Sequence, residues 1–311
     1  MIWSFVKGKG GMQVLRYWLR QCLLLLSALV LIACSNQYAP FNHGNNNHIN
    51  PLTLYFNQET GAQFATRTQA RSSNPLPTSQ TTFYNLDWDK NPIDVLIEHG
   101  ANSITLHHVI GVQAATAGTS GIVTSYNNII AGLSNDNTMS HDQARLAILT
   151  IFKDLKQAGW QRYISLSDPR LIGKNAWDYA KKELYIYALD PDYVYTLNEW
   201  MQLGDGVSWV FQANGIYLTI QMYREQSKMD PQQPGAYYVS YKFQSEKEYY
   251  APYFKDDDLK KWAINAARWV SLYPGIKKQM NQIREKTEAE LKAQGVTIDE
   301  SYQDPALVSK N

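Results

Sequence analysis

The sequence predicts an α+β protein, an antiparallel sheet with packed helices and a C-terminal helical pair, and three stretches carry the prediction. SWVFQA (208–213) and IYLTIQMY (216–223) flank Asn214-Gly215, the preferred pair for a type I′ turn because both residues tolerate positive φ. Behind a capping box of Ser140 and Gln143, the apolar residues Ala144, Ile148, Ile151, Phe152 and Leu155 recur at helical spacing. Near the end, Leu259, Trp262, Ala263, Ala266, Trp269, Val270 and Tyr273 fall on one helical stripe.

In chain order, LTLYF from Leu52 has the composition of a first strand. Residues 61–80 are polar, contain Pro75 and Pro77, and read as a long loop. Residues 81–88 and 103–112 have β composition, and between them 92–99 reads as a short helix with Pro92 in its first turn and Gly100 after its end. The small-residue run 114–121 suggests no element and fits neither Gly-x-Ser-x-Gly nor a phosphate loop.

The helix from Ser140 stops at Gly159, which supplies a left-handed terminus. A strand is expected over 162–166, a helix over 175–183 and another strand over 184–189. Thr196 and Glu199 form a second capping box, opening a short helix that ends at Gly204. On the second hairpin strand, Ile216, Leu218, Ile220 and Met222 share one face. Tyr217, Thr219, Gln221 and Tyr223 share the other, so one face is core and the other half-exposed.

A further strand over 236–243 extends the sheet. The final helices are expected to meet at Pro274, with Asp256, Asp257 and Asp258 at the positive end of the first. The second, about 275–294, is mostly charged and belongs on the surface, and the tail beyond Gly295 is expected to be loosely ordered.

The N-terminal segment has its own logic. A basic flank precedes the apolar run from Cys22, which ends in Leu31-Ile32-Ala33-Cys34, the layout of a secretion signal. The run of about a dozen apolar residues falls short of the length that spans a bilayer. Translation from Met12 rather than Met1 gives a compact signal, and either start leaves the same product. The four residues resemble the bacterial lipoprotein signal, and the resemblance implies cleavage between Ala33 and Cys34 with lipid on the Cys34 thiol. Ser35 in place of Asp after that cysteine implies the periplasmic face of the outer membrane. The division that follows is a signal peptide over 1–33, a flexible Asn-rich tether over 34–51, a β-rich part over 52–135, an α+β part with the C-terminal helices over 136–295, and a tail over 296–311.

Removing 1–33 takes away Lys7, Lys9, Arg16 and Arg20 and no acid, leaving 25 basic and 28 acidic residues. That balance excludes the strongly basic footprint of a nucleic-acid binder. Cys22 leaves with the signal and Cys34 is the only other cysteine, so the folded part can form no disulfide, thiolate metal site or cysteine nucleophile. With 21 Tyr and 9 Trp against 9 Phe, the chain is rich in rings that serve both cores and interfaces.

Candidate chemistry is sparse. His107-His108, with Glu98 and His99 nearby, invites a metal site, but adjacent strand residues point to opposite faces. Asp87 and Asp89 share one face of an extended segment, yet Asn91-Pro92 next to them reads as a turn. His43 and His48 lie in the tether without carboxylate partners. No Ser occupies a nucleophile elbow. No catalytic residue, metal or cofactor is assigned, and Trp209, Tyr217 and Tyr223 on the hairpin are the candidates for contact with a protein partner.

The stretches 159–180 (GWQRYISLSDPRLIGKNAWDYA), 189–201 (LDPDYVYTLNEWM) and 208–220 (SWVFQANGIYLTI) resemble periplasmic lipoproteins encoded beside type VI secretion phospholipase effectors. The resemblance spans about residues 140–250 and implies an immunity protein: a lipid-anchored, non-enzymatic inhibitor that binds a toxin in the periplasm. The alternative is an envelope hydrolase or a lipid- or glycan-binding lipoprotein, which requires a concave pocket with convergent polar groups.

Overall fold

Asn214 and Gly215 take φ values of 40° and 80° and close the expected hairpin. Around it, the computed structural model describes residues 51–72, 81–88, 91–117, 120–254 and 258–309. The strands are β1 (Leu52–Tyr55), β2 (Arg71–Ser72), β3 (Phe83–Asp87), β4 (Ile93–Glu98), β5 (Ile104–Ala117), β6 (Ile122–Gly132), β7 (Gln161–Arg162), β8 (Val207–Ala213), β9 (Ile216–Arg224) and β10 (Tyr237–Ser245). The helices are α1 (Gly61–Thr68), α2 (His141–Gln157), α3 (Gly173–Lys182), α4 (Leu197–Met201), α5 (Glu246–Phe254), α6 (Leu259–Ala267) and α7 (Trp269–Ala293). The fold is α+β, with two helices closing the C-terminal part.

All ten strands join one sheet, in the order β1-β4-β5-β6-β10-β9-β8-β7, with β3 paired to β5 and β2 to β3. β1 runs parallel to β4, and the other pairings are antiparallel. The sheet is continuous across the β-rich and α+β parts, because β10 pairs with β6.

Period-two alternation gives the sheet two distinct faces. The inner face carries Leu218, Ile220, Met222, Val239, Tyr241, Phe243, Trp209 and Phe211 into the main core. There α2 lays Ala144, Ile148, Phe152 and Leu155 on it, with the Phe152 ring 4.9 Å from Trp209. On the outer face a second, aromatic cluster covers one end. Tyr250 and Phe254 of α5 and Trp269 and Tyr273 of α7 pack with Tyr163, Val210 and Tyr217. The Tyr250 hydroxyl lies 2.8 Å from that of Tyr217 and 3.3 Å from that of Tyr163.

Several expectations are corrected. Residues 61–68 are not loop: Thr60 and Gln63 form a capping box like the one at Ser140, and Phe64 anchors the helix in the core. The 92–99 segment holds strand β4, Ile93–Glu98, and no helix, because IDVLIE alternates and buries Val95 and Ile97; Pro92 precedes the strand, a position that asks nothing of its missing N–H. The small residues of 114–117 extend β5, where Ala114 and Ala115 are buried. No strand forms over 184–189, since Leu184 and Tyr185 both take positive φ (52° and 59°), a region closed to extended backbone. The strand at 162 stops there: the Ile164 N–H donates to Tyr302 Oη and Arg284 takes the Ile164, Ser165 and Asp168 carbonyls.

The last two helices part at Arg268, not at Pro274, which lies inside α7. The tail is fastened rather than loose. Asp299 N–H donates to the Arg170 carbonyl, Asp304 pairs with Arg284 and Lys277, and the Val308 and Ser309 amides donate to Glu246.

Candidate functional site

Of the three proposed contact residues, two are interior. Trp209 is fully buried and Tyr217 is 2% exposed, so neither can meet a partner. Trp209 points to the inner face beneath α2, and Tyr217 lies at the end of the outer face that α5 covers, stacked on Tyr249 at 4.1 Å. Tyr223 is half-buried and lies beyond that cover, its ring stacked on Tyr238 at 4.8 Å and 8°. Burial, followed by the nearby Tyr238 and Asp205, raises its pKa.

The histidines do not converge. His107 Nδ1 is 3.0 Å from Asp94 Oδ1 on β4, both side chains exposed. His108 takes a left-handed φ of 58° next to a register shift. His99 is spent on the Ala213 carbonyl and Glu98 on the Gly100 amide. Among the described residues, no group of three or more His, Cys, Asp or Glu side chains is placed to hold a metal ion. Asp87 is exposed at the end of β3, while Asp89, His43, His48, Ala33 and Cys34 lie outside the described residues. Among the described residues no helix is long and apolar enough to cross a membrane.

Two surfaces stand out instead. The first lies on the helical side, where the 190–197 segment runs beside α2. Arg145 Nη1 donates to the Tyr195 carbonyl at 3.0 Å, and Lys156 pairs with Asp192. Between them is a groove of about 460 Å³ lined by Leu149, Phe152, Lys153 and Val194. Val194 is 66% exposed, Leu146 49% and Leu197 40%. Of these only Val194 lines the groove, and an exposed apolar side chain in a groove rimmed by charge suits a contact surface. A larger groove of about 590 Å³ runs along α1, but its Arg67 and Glu59 already satisfy each other at 2.7 Å.

The second surface is the open end of the outer sheet face. Cross-strand neighbours place Ser208 beside Gln221, Gln221 beside Ser240, Asn128 beside Gln113 and Gln113 beside Asn85. Ser240 Oγ donates to Asn128 Oδ1 at 2.7 Å, which closes the row between β10 and β6. The result is a line of amide and hydroxyl side chains crossing six strands, with the Tyr223–Tyr238 pair beside it. Sequence reading found Tyr223 and Gln221 by alternation. It missed Asn128 because no strand was expected over 122–132, and Gln113 because the strand was expected to end at 112; Asn85 lay in an expected strand whose faces were not told apart.

Directly beneath Tyr223, Arg224 turns inward and is 5% exposed. Its guanidinium lies over the Trp200 and Tyr237 rings at 5.6 and 5.8 Å, and Nη2 donates to the Trp200 carbonyl. Nε and Nη1 find no partner, and burial lowers the pKa of the group. No family model, curated protein or solved structure matches this chain.

Proposed function

We propose that the chain is a membrane-tethered binding protein of the cell envelope, an inhibitor of the immunity type that neutralises a secreted phospholipase-class effector. The observation that carries the reading is the groove between α2 and the 190–197 segment, where Leu149 and Val194 lie among Lys153, Lys156 and Asp192 and Val194 is 66% exposed. Removing such side chains from water is favourable at about 25 cal/mol per Å², so they suit a protein that spends its surface on a partner. The three stretches with the immunity-protein resemblance include that segment. Lipidation at Cys34 would hold this surface where an incoming toxin first arrives.

The test is a competition between sibling cells that fire the effector and recipients deleted for this gene. Deletion should lower recipient survival, and the wild-type gene should restore it. A Val194→Arg, Leu197→Asp double variant, folded by circular dichroism, should fail to restore it. Full survival of the deleted strain overturns the proposal.

A further inference from the structure

We propose that Lys242, on the outer sheet face at the foot of α5, is a nucleophilic amine that condenses reversibly with small aldehydes. The site is on the side of the sheet opposite α2, so it goes beyond the inhibitor reading and does not depend on it.

Lys242 lies across from Thr219 in the β10–β9 register and shares its strand face with Ser240 and Gln244. α5 follows β10 directly and folds back over that end of the face. Gln244 Nε2 donates to the Glu248 carbonyl at 3.3 Å, and Tyr249 stacks on Tyr217, the cross-strand neighbour of Gln244. Lys242 therefore stands where the helical cover gives way to the open face. Among the described lysines only Lys242 and Lys277 are withdrawn from solvent, and Lys277 is paired with Asp304 at 3.3 Å. Lys242 is half-buried, and its Nζ has neither hydrogen bond nor ion pair among the described residues and is not sealed from solvent.

An ammonium drawn out of water without a partner costs far more than a neutral amine. Burial pulls the pKa of Lys242 down, and the Glu248 charge offsets this only in part. Glu248, in the first turn of α5, is pushed up by its own burial against the opposing pull of Lys247, Thr124 and Lys242. Both groups thus shift toward a neutral amine beside a carboxylic acid. Farther along this face are Arg71, in register with Asn85, Asp87 beside Gly111, and Asp205 near Tyr223 and Tyr238; none of these charges shifts Lys242. A desolvated lysine amine is a nucleophile toward carbonyl carbon. The Nζ lone pair adds to the aldehyde carbon, the C=O π bond breaks, and a nitrogen proton passes to the oxygen. The hydroxyl of that carbinolamine then leaves as water with the second nitrogen proton, and the C=N bond forms, with no oxidant or reductant needed. Glu248, whose charge reaches Lys242, is the acid available to pass these protons. An aldehyde carbon bears a hydrogen on one side, which suits a half-buried amine better than a ketone does.

The full chain, purified in detergent, should be incubated at pH 7 with glyceraldehyde or hexanal, each with cyanoborohydride to trap the imine, and the adducts mapped by mass spectrometry. Lys242 should be labelled about tenfold faster or more than the exposed Lys153, Lys228 and Lys260, since each unit of lowered pKa leaves about tenfold more free amine. Faster labelling by glyceraldehyde supports the proposal with a sugar-type aldehyde, and faster labelling by hexanal supports it with a lipid-type one. The rate at Lys242 should fall with decreasing pH around a midpoint below that of the exposed lysines. Glu248→Gln should lower that midpoint further, because it removes the charge that opposes the shift. If Glu248→Gln lowers the melting temperature, the wild-type midpoint decides the question. Labelling of Lys242 no faster than that of the exposed lysines, or a midpoint shared with them, overturns the proposal.

Discussion

The guanidinium of Arg284 in α7 donates to the Asp304 carboxylate at 2.9 Å, with both side chains about 5% exposed. The same guanidinium takes three backbone carbonyls from 164–168, so one cation joins the tail, α7 and the segment after β7. Removing one partner from a buried pair leaves the other uncompensated. Asp304→Ala should therefore destabilise the protein by about 3–5 kcal/mol, read as a lower urea midpoint. An unchanged midpoint would mean the tail contributes nothing to the fold.

A second buried pair predicts acid sensitivity. Glu288, its side chain 6% exposed, accepts from Arg170 Nε, Nη2 and the backbone N–H. Desolvation is the largest single influence and pushes its pKa up, but the bonds and charge from Arg170 outweigh it, so the carboxyl titrates below its ordinary range. A depressed folded pKa stabilises the protein fully above the unfolded value, near 4.3. That contribution is lost as pH falls through the folded value. Glu288→Gln should cost about 3 kcal/mol at pH 7, with the gap to wild type narrowing below pH 4.

Arg224 predicts the opposite sign. Its charge is buried over two rings with Nε and Nη1 unpartnered, and a buried charge without full compensation is often replaced by an apolar chain at no loss. Arg224→Met should be neutral or stabilising by about 1–4 kcal/mol in thermal unfolding. Marked destabilisation would mean that its bond to the Trp200 carbonyl outweighs the desolvation.

The proposed lipidation at Cys34 has its own test: the sequence has one other cysteine, Cys22, which the proposed cleavage would remove, so Cys34→Ala would change no disulfide. Palmitate labelling should disappear and the protein should move to the soluble fraction. Continued partition with membranes would require another anchor.

Much of this architecture was legible where one local rule acted alone. Ser140–Gln143 and Thr196–Glu199 marked two helix starts, and Asn214-Gly215 marked the hairpin. The same box at Thr60–Gln63 is hidden by the polar composition around it, although Phe64 is buried and seats α1 in the core. What lay beyond reach was decided by distant partners. Tyr302 and Arg284 take the backbone groups that 164–168 would otherwise offer to a sheet. The cover of α5 over Tyr217, and not its place on the strand, separates it from Tyr223. The polar row escaped for a related reason: its members come from strands far apart in sequence.

The pairing of β10 with β6 brings together residues about 110 positions apart, as Ser240 and Ile130 are, and such distant contacts slow folding because the intervening loop must be closed first. The pair of Arg284 and Asp304 adds contacts to the 164–168 segment across a similar separation. The segment after β7 therefore cannot take its final form until residue 304 has been made.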